Sequence, residues 1–385
     1  MTRYRAHILG LLFAVSAMGG TTHAQTEPWP YDGSGSRYYP MPSEVYDPKY
    51  ALAARAKIED ERQAFTRGVA KHNILAMISL AALLEDGVTT AGFDRAGALD
   101  LYQQAADNGS DVGRRKMCVA YFLGEGRPVD RHKAASYCND LPESDATHLF
   151  ALAWNDEHNK HTDADNDSIL ATYVEAAKQG SADAMDILGQ KALELAAPEA
   201  ARNWFRQGAA LGSADAIDHL AVVTEAGQAS TADADEAYWL YVNAANRGNA
   251  HARAWVAALP SDRLPLGEMS YERDANFLTE TTKGDHGPHV DHIGLYQLGH
   301  ALESVYPAEA KNAQIKNTQI IVQCYIGAMH NIDVCLPQRE MPPGTDFTRS
   351  LNWLFFRNLS VGDVDASGRM TAHTVLQLAF NWVTD

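Results

Sequence analysis

Known catalytic motifs are missing from this chain of 385 residues. It contains no H-E-x-x-H metalloprotease motif, no G-x-S-x-G nucleophile motif and no G-x-x-x-x-G-K phosphate loop. The 49 acidic residues are spread along the chain, and a solvated surface is the usual place for them. We therefore expect no enzymatic step and no bound cofactor.

Basic residues are scarce as well. The chain has 32 Lys and Arg against 49 Asp and Glu, which gives a formal net charge of −17 at pH 7. Removal of an N-terminal segment with Arg3 and Arg5 would make the charge −19, since −17 − 2 = −19. So acidic a chain repels the phosphates of nucleic acids and anionic lipid head groups. We expect no nucleic-acid partner.

The N-terminus has no apolar run long enough to cross a bilayer. The run at residues 8–18 has 11 residues, whereas a spanning helix needs about 20. Two arginines precede this run, and small residues ending at Ala24 follow it, which is typical of a secretory signal peptide. We predict a signal peptide at residues 1–24 and an exported mature protein that begins at Gln25. An uncleaved membrane anchor is the alternative.

Cysteine is rare, with four residues and no C-x-x-C redox pair. In an oxidising compartment an even number of cysteines indicates disulfide bonds. Four cysteines allow three pairings, and their spacing favours Cys118 with Cys138 and Cys324 with Cys335.

Between residues 50 and 259 the chain contains a recurring sequence marker. Four segments share a pattern of alanines followed by glycine and a small polar residue: AADNGS, AAKQGS, GAALGS and AANRGN. Their glycines are separated by 71, 32 and 36 residues and are Gly109, Gly180, Gly212 and Gly248. A period near 35 residues with one glycine break predicts stacked helical hairpins, each ended by a left-handed glycine.

The best copy of this repeat is YFLGEGRPVDRHKAASY. It resembles the Sel-one-like subfamily of tetratricopeptide-type repeats, whose signature is Y-x-x-G-x-G-V-x-x-D-x-x-x-A. The matching residues are Tyr121, Gly124, Gly126, Asp130 and Ala134. The resemblance covers about half of the chain and implies a solenoid with a concave face for protein partners. A bridge between Cys118 and Cys138 would then join the two helices of one hairpin.

The C-terminal region changes to a β pattern. Residues 318–326 alternate between the two faces of a strand, and NIDVCLPQRE follows after a short break, which predicts a β-hairpin. An amphipathic helix after Phe347 and a last strand with period-two apolar residues come next. The predicted order is strand, strand, helix, strand, with Cys324 and Cys335 bridging the hairpin.

This region resembles the C-terminal domain of TonB, the periplasmic energy transducer of Gram-negative bacteria. The likeness runs from Tyr306 to Trp382 and includes the Y-P-x-x-A motif at Tyr306, Pro307 and Ala310. It implies a ββαβ domain that binds an envelope protein, such as an outer-membrane receptor or an assembly component. In that family the last strand is an edge to which an extended peptide adds as a further strand.

We expect the same edge to be open in this chain. Pro337 lies in the second strand and blunts the edge on that side, whereas the last strand contains no proline. We expect Val375 and Gln377 to point away from the face that Leu376 and Leu378 share. The predicted partner-binding residues are Thr374, Val375, Leu376, Gln377, Leu378 and Phe380.

A metal site is a further hypothesis. His286, His289 and His292 lie within seven residues and could bind zinc or copper. The segment is rich in glycine and proline, so no helix fixes their spacing, and a solvated linker is the interpretation that we prefer.

The predicted fold class is mainly α with a small α+β domain. A signal peptide (1–24) and a Pro/Tyr-rich arm (25–49) precede the Sel-one-like helical repeats (50–259). A polar linker (260–296) leads to the TonB C-terminal-like domain (297–385). We expect a periplasmic scaffold or adaptor. A TonB-type transducer held in the inner membrane is the main alternative, and a metal-binding protein is the second.

Overall fold

The computed structural model describes ten stretches of the chain. They are residues 5–8, 14–15, 51–86, 94–158, 165–228, 233–259, 268–270, 317–328, 332–344 and 372–384. The predicted arm and the three histidines of the linker lie outside these residues.

Twelve helices lie in the described part of residues 51–259. In chain order they are α1 (Ala51–Val69), α2 (Ile74–Asp86), α3 (Arg95–Asp107), α4 (Asp111–Leu123), α5 (Arg131–Asn139), α6 (Ala146–His158), α7 (Asn166–Lys178), α8 (Ala182–Glu194), α9 (Pro198–Ala210), α10 (Ala214–Glu225), α11 (Ala234–Asn246) and α12 (Ala250–Ala257). Successive helices pack on one another as five hairpins, α2–α3 through α10–α11, with α1 and α12 at the two ends. The predicted helical-repeat solenoid is confirmed.

The glycine markers end the second helix of a hairpin, as the sequence predicts. Their φ angles lie between 86° and 97°, a left-handed conformation that glycine adopts without strain: Gly109, Gly180, Gly212 and Gly248. The small polar residue that follows caps the next helix by accepting a backbone N–H: Ser110, Ser181, Ser213 and Asn249. The marker therefore sets the start of each new hairpin.

The predicted bridge between Cys118 and Cys138 is present and joins α4 to α5. Both cysteines are buried among the alanines and aromatic rings of the first two hairpins. Close packing also explains Gly189 in α8, where a Cβ atom would come within 2.3 Å of the Phe205 ring. The two helices of this hairpin thus approach one another through a small residue, as an alanine-rich solenoid requires.

A β-sheet follows the solenoid in sequence. Its long strands are β4 (Asn317–Ile326), β5 (Ile332–Met341) and β6 (Thr374–Thr384), and β4 lies between the other two and pairs antiparallel with both. Cys324 lies opposite Cys335 in the β4–β5 hairpin, and the predicted disulfide joins them. The strand order makes β5, which contains Pro337, an edge strand of the sheet.

Strand β6 is paired on both sides, which differs from the expected open edge. On the side away from β4, the short strand β3 (Glu268–Ser270) pairs in parallel with Val375, Leu376 and Gln377. Strands β1 (Arg5–Ile8) and β2 (Ala14–Val15), which lie in the predicted signal peptide, pair with the rest of β6. Segments from earlier in the chain thus occupy the edge; after the predicted removal of residues 1–24 only β3, opposite Val375–Gln377, would remain there. No local pattern in β6 could have shown this pairing.

The finer TonB-like assignment is not established. The structure shows the antiparallel hairpin and the last strand in the expected places. The helix predicted after Phe347 and the motif at Tyr306, Pro307 and Ala310 lie outside the described residues. What the described residues support is a helical-repeat solenoid with a small antiparallel sheet.

Within the stretches that the structure describes, no helix has the length and apolar character of a membrane span.

Candidate protein-interaction site

Strand β5 rests with its outer edge against the solenoid. The carbonyl oxygen of Pro337 accepts a hydrogen bond from Nη2 of Arg247, which follows α11. The Pro337 ring lies over the turn between α9 and α10, where a Cβ atom at Gly212 would be 3.3 Å from it. Because proline has no backbone N–H, it leaves only an acceptor on this edge, and arginine satisfies that acceptor.

The neighbouring residue strengthens the same contact. The strand pairing shifts register at Gln338, beside Pro337, and the Gln338 side chain donates a 3.0 Å hydrogen bond to Oδ1 of Asn243 in α11. Asn243 is buried and donates its own amide to the backbone of Trp239. Arg247 also donates to Oδ1 of Asn243 at 3.0 Å. The side chains of Asn243 and Arg247 therefore hold each other in position to bind the edge of β5. We call this pair of residues the seat.

The same stretch of chain reaches the opposite end of the solenoid. The carbonyl oxygen of Pro343 accepts a 2.8 Å hydrogen bond from the buried hydroxyl of Ser79 in α2. Gly344 has φ 74°, and a Cβ atom there would lie 2.6 Å from the Ile78 side chain. Pro343 lies six positions after Pro337, and the chain between them is extended as far as Met341 and then turns. Residues 337–344, which we call the strap, thus bridge the first hairpin and the last.

A second anchor holds β4 to the solenoid. The hydroxyl of the buried Tyr325 donates to both carboxylate oxygens of Asp233 at 3.0 Å, and Asp233 also caps α11. Nδ1 of His373, which precedes β6, lies 2.9 Å from the same hydroxyl. Burial, and next the charge of Asp233, raise the pKa of Tyr325, so this phenol stays protonated and serves as a donor.

A groove of about 540 Å³ opens beside the strap. It is lined by residues of α2, α3 and α4 and by the N-terminal ends of α6, α8, α10 and α12, so all five hairpins and α12 contribute to one surface. Gly212 and Arg247, which hold the strap, belong to its lining as well. The strap and the groove are therefore parts of one surface.

The charged residues of the groove neutralise one another. Nζ of Lys116 donates to Glu85 at 2.8 Å, and Arg95 pairs with Glu125 at 2.5 Å. Burial raises the pKa of Glu85, but the charge and hydrogen bond of Lys116 outweigh this effect, so the pKa is lowered. Paired charges leave a polar, nearly neutral surface, which suits hydrogen bonding to a peptide backbone better than capture of a small ion.

The structure places the predicted partner-binding residues in β6, but only one of their side chains is described. Val375 is buried in a cluster with Tyr325, Val334 and Leu336 and with apolar residues of α9 to α12. It does point away from the hairpin's disulfide face, yet that side is covered by the solenoid. The alternation of apolar and polar residues along a strand shows that its two faces differ. It does not show which other part of the protein covers a face.

Metal binding has no support in the described part of the chain. No group of three or more potential ligands occurs there. His286, His289 and His292 lie outside that part, so the zinc or copper hypothesis stays untested.

Sequence reasoning missed the residues that hold the strap. Ser79 and Asn243 belong to no recognisable motif. Arg247 did offer a signal, because it takes the place before the marker glycine where the other three copies have the uncharged Asn108, Gln179 and Leu211. A positively charged residue at the end of one repeat, where the other repeats have uncharged residues, suggests a contact specific to that repeat.

Comparison with known proteins finds similar solved structures over about half of the chain. No family model and no curated protein matches the chain. Among solved structures, a protective antigen with an SLR fold from uropathogenic Escherichia coli is 21% identical, with TM-score 0.32 and 55% of this chain covered. The chain spans about half, 46%, of that protein.

Two further solved structures each match about half of this chain. A Sel1 repeat protein from Oxalobacter formigenes is 22% identical, with TM-score 0.29, and the alignment covers 52% of this chain and 85% of that one. An immunity protein from Pseudomonas aeruginosa is 23% identical, with TM-score 0.32, covering 52% and 80%. The chain is similar to Sel1-repeat proteins in its helical solenoid.

Proposed function

We propose that this protein is a non-enzymatic scaffold of the bacterial cell envelope that binds an extended peptide of a protein partner in the solenoid groove. The observation that carries this proposal is the strap. Side chains of the solenoid already hold a backbone segment through its carbonyl groups, at Pro337 in strand β5 and at Pro343 in the turn that follows it. A surface that binds backbone in this way is suited to peptides.

Export to the periplasm is part of the proposal. Two disulfide bonds favour an oxidising compartment, and the predicted signal peptide supplies the route. N-terminal sequencing of the protein from fractionated cells tests this point. Gln25 in the soluble periplasmic fraction supports the scaffold. Intact Met1 in the inner membrane would instead support the alternative of a TonB-type transducer.

Filling the groove tests the binding site. Ala250 is exposed at the start of α12 and lines the groove, whereas Ala226 is exposed at the end of α10 and does not. We expect Ala250→Trp to abolish capture of an envelope partner in crosslinking experiments and Ala226→Trp to leave it unchanged. Equal capture by both variants would rule out the groove.

Peptide addition at β6 is a second candidate, suggested by the resemblance to TonB. A peptide there would have to displace β3 from Val375–Gln377. Gln377→Pro removes a backbone donor, so it should abolish such capture, while Gln377→Ala should have little effect. Partner capture that survives in a folded Gln377→Pro variant excludes this edge.

A further inference from the structure

The strap contacts the solenoid in the manner of a bound peptide. Its edge presents the carbonyls of two prolines, each of which accepts from a solenoid side chain, Arg247 or Ser79. Gln338 adds a side-chain hydrogen bond to Asn243. The carbonyl bonds hold backbone, and the Pro337 ring lies over the glycine turn at Gly212, where a Cβ atom would be 3.3 Å from it. These contacts therefore fit a segment with a proline at that position.

Apolar contacts keep the strap in place. Val334 and Leu336, just before it, are buried with residues of α9 and α11. The Cys324–Cys335 bridge holds this part of the hairpin against β4. An incoming peptide that needs Arg247 must therefore first displace a segment that the fold itself supplies at high local concentration.

We infer that the strap is an autoinhibitory segment: residues 337–344 occupy the contacts at Arg247, Asn243 and Ser79 in the free chain, and a proline-containing peptide of the partner replaces them. The inference rests on the proposed function and adds both the chemistry of the partner and its control. Binding of such a peptide requires release of the strap. The apparent affinity for the peptide is therefore the intrinsic affinity multiplied by the fraction of chains in which the strap is open.

The probe for the test is a fluorescent synthetic peptide of residues 334–344 with serine in place of the cysteine at position 335. Two substitutions in or next to the strap should detach it from the solenoid, and they change no residue of the seat. Leu336→Asp places a charge in the buried cluster, and Gly344→Val adds a Cβ atom at φ 74° within 2.6 Å of Ile78. Ala328→Asp, at an exposed position of the hairpin turn, is the matched control.

We expect both opening variants to bind the peptide at least tenfold more tightly than the wild type and the control. Hydrogen exchange should show faster exchange of the strap amides in the same two variants, and circular dichroism should show retained helix content. Addition of Arg247→Ala to either variant should return binding to the wild-type level, because it removes the donor to the proline carbonyl.

Three results would overturn the inference. They are equal affinity of the wild type and of variants whose strap exchanges faster, tight binding by the wild type itself, and enhanced binding that persists with Arg247→Ala. The scaffold proposal is judged separately by the Ala250→Trp experiment. If Ala250→Trp abolishes partner capture and any of the three results is also found, the scaffold proposal is supported and only the autoinhibition is refuted.

Discussion

The hydroxyl of Tyr173 donates a 2.7 Å hydrogen bond to the carboxylate of Glu157, across the hairpin of α6 and α7. The same pair recurs in the first and last hairpins, as Tyr102 with Glu85 at 3.1 Å and Tyr241 with Glu225 at 2.9 Å. In the first and third hairpins a lysine of the following helix joins the carboxylate. The repeats are thus linked by polar bonds in addition to apolar packing.

Acid should weaken the third hairpin through Glu157. Burial raises the pKa of Glu157, but hydrogen bonds from Lys191 and Tyr173 outweigh burial, so the pKa is lowered. A lowered carboxyl pKa gives stability that is complete above the unfolded pKa of about 4.3 and is lost as pH falls through the folded value. We expect Glu157→Gln to destabilise the protein by roughly 1–2 kcal/mol at pH 7 and by less at pH 3. Urea unfolding at both pH values measures this.

The control for this prediction is Glu194→Gln, at the exposed end of α8. It should change stability by less than about 0.5 kcal/mol at either pH. A cost of Glu157→Gln that is the same at pH 3 and pH 7 would contradict the role given to its ionised form.

Alkali should weaken the contact between α8 and α10. Burial lowers the pKa of His219, but the 2.7 Å hydrogen bond and charge of the buried Asp186 outweigh it, so the pKa is raised. Asp215 and Asp218 act in the same direction, and the ring of Phe205 covers the imidazole. This stability is present below the unfolded pKa of about 6.5 and is lost as pH rises through the folded value.

The variant Asp186→Asn tests that sign. It should lower the urea midpoint more at pH 6 than at pH 9, because the charged pair exists only at the lower pH. His219→Gln is the matched variant and should show the same trend. A larger loss at pH 9 than at pH 6 in either variant would show that the pair is not stabilised by protonation.

Tyr325 should contribute strongly to the junction of sheet and solenoid. Tyr325→Phe removes the donor to Asp233 and leaves a partly buried carboxylate with fewer partners, which should cost about 1–2 kcal/mol in chemical unfolding. In an Asp233→Ser background, where the helix cap is kept, the same change should cost much less. Equal costs in the two backgrounds would mean that the Tyr325–Asp233 bond adds nothing.

Both disulfides should be complete in the protein isolated without reducing agent. Thiol labelling of the denatured, unreduced chain should find no free cysteine. Replacement of Cys324 and Cys335 by serine leaves their loop open in the unfolded chain and should cost about 2–3 kcal/mol, and replacement of Cys118 and Cys138 about 3 kcal/mol. Peptide mapping that finds Cys138 joined to Cys324 would refute the pairing.

Local chemistry determined much of this protein. A left-handed glycine followed by a capping serine, as at Gly180 and Ser181, fixes the break between two helices in any surroundings, so its repetition predicts the solenoid. Strand alternation and a short turn are enough to place Cys324 and Cys335 opposite each other. These features depend on neighbours that are close in sequence, so the sequence displays them directly.

Tertiary structure alone decided where the sheet rests and what its strands contact. The bonds from Ser79 to Pro343 and from Arg247 to Pro337 join residues that are 264 and 90 positions apart. In the alternation along β6, Val375 falls on the face that would be exposed to solvent in an edge strand. Alternation shows that the two faces of a strand differ, but it does not show which other element covers a face. Such contacts arise only when the curve of the solenoid brings its first and last hairpins within reach of the strap, and no local pattern encodes that curve.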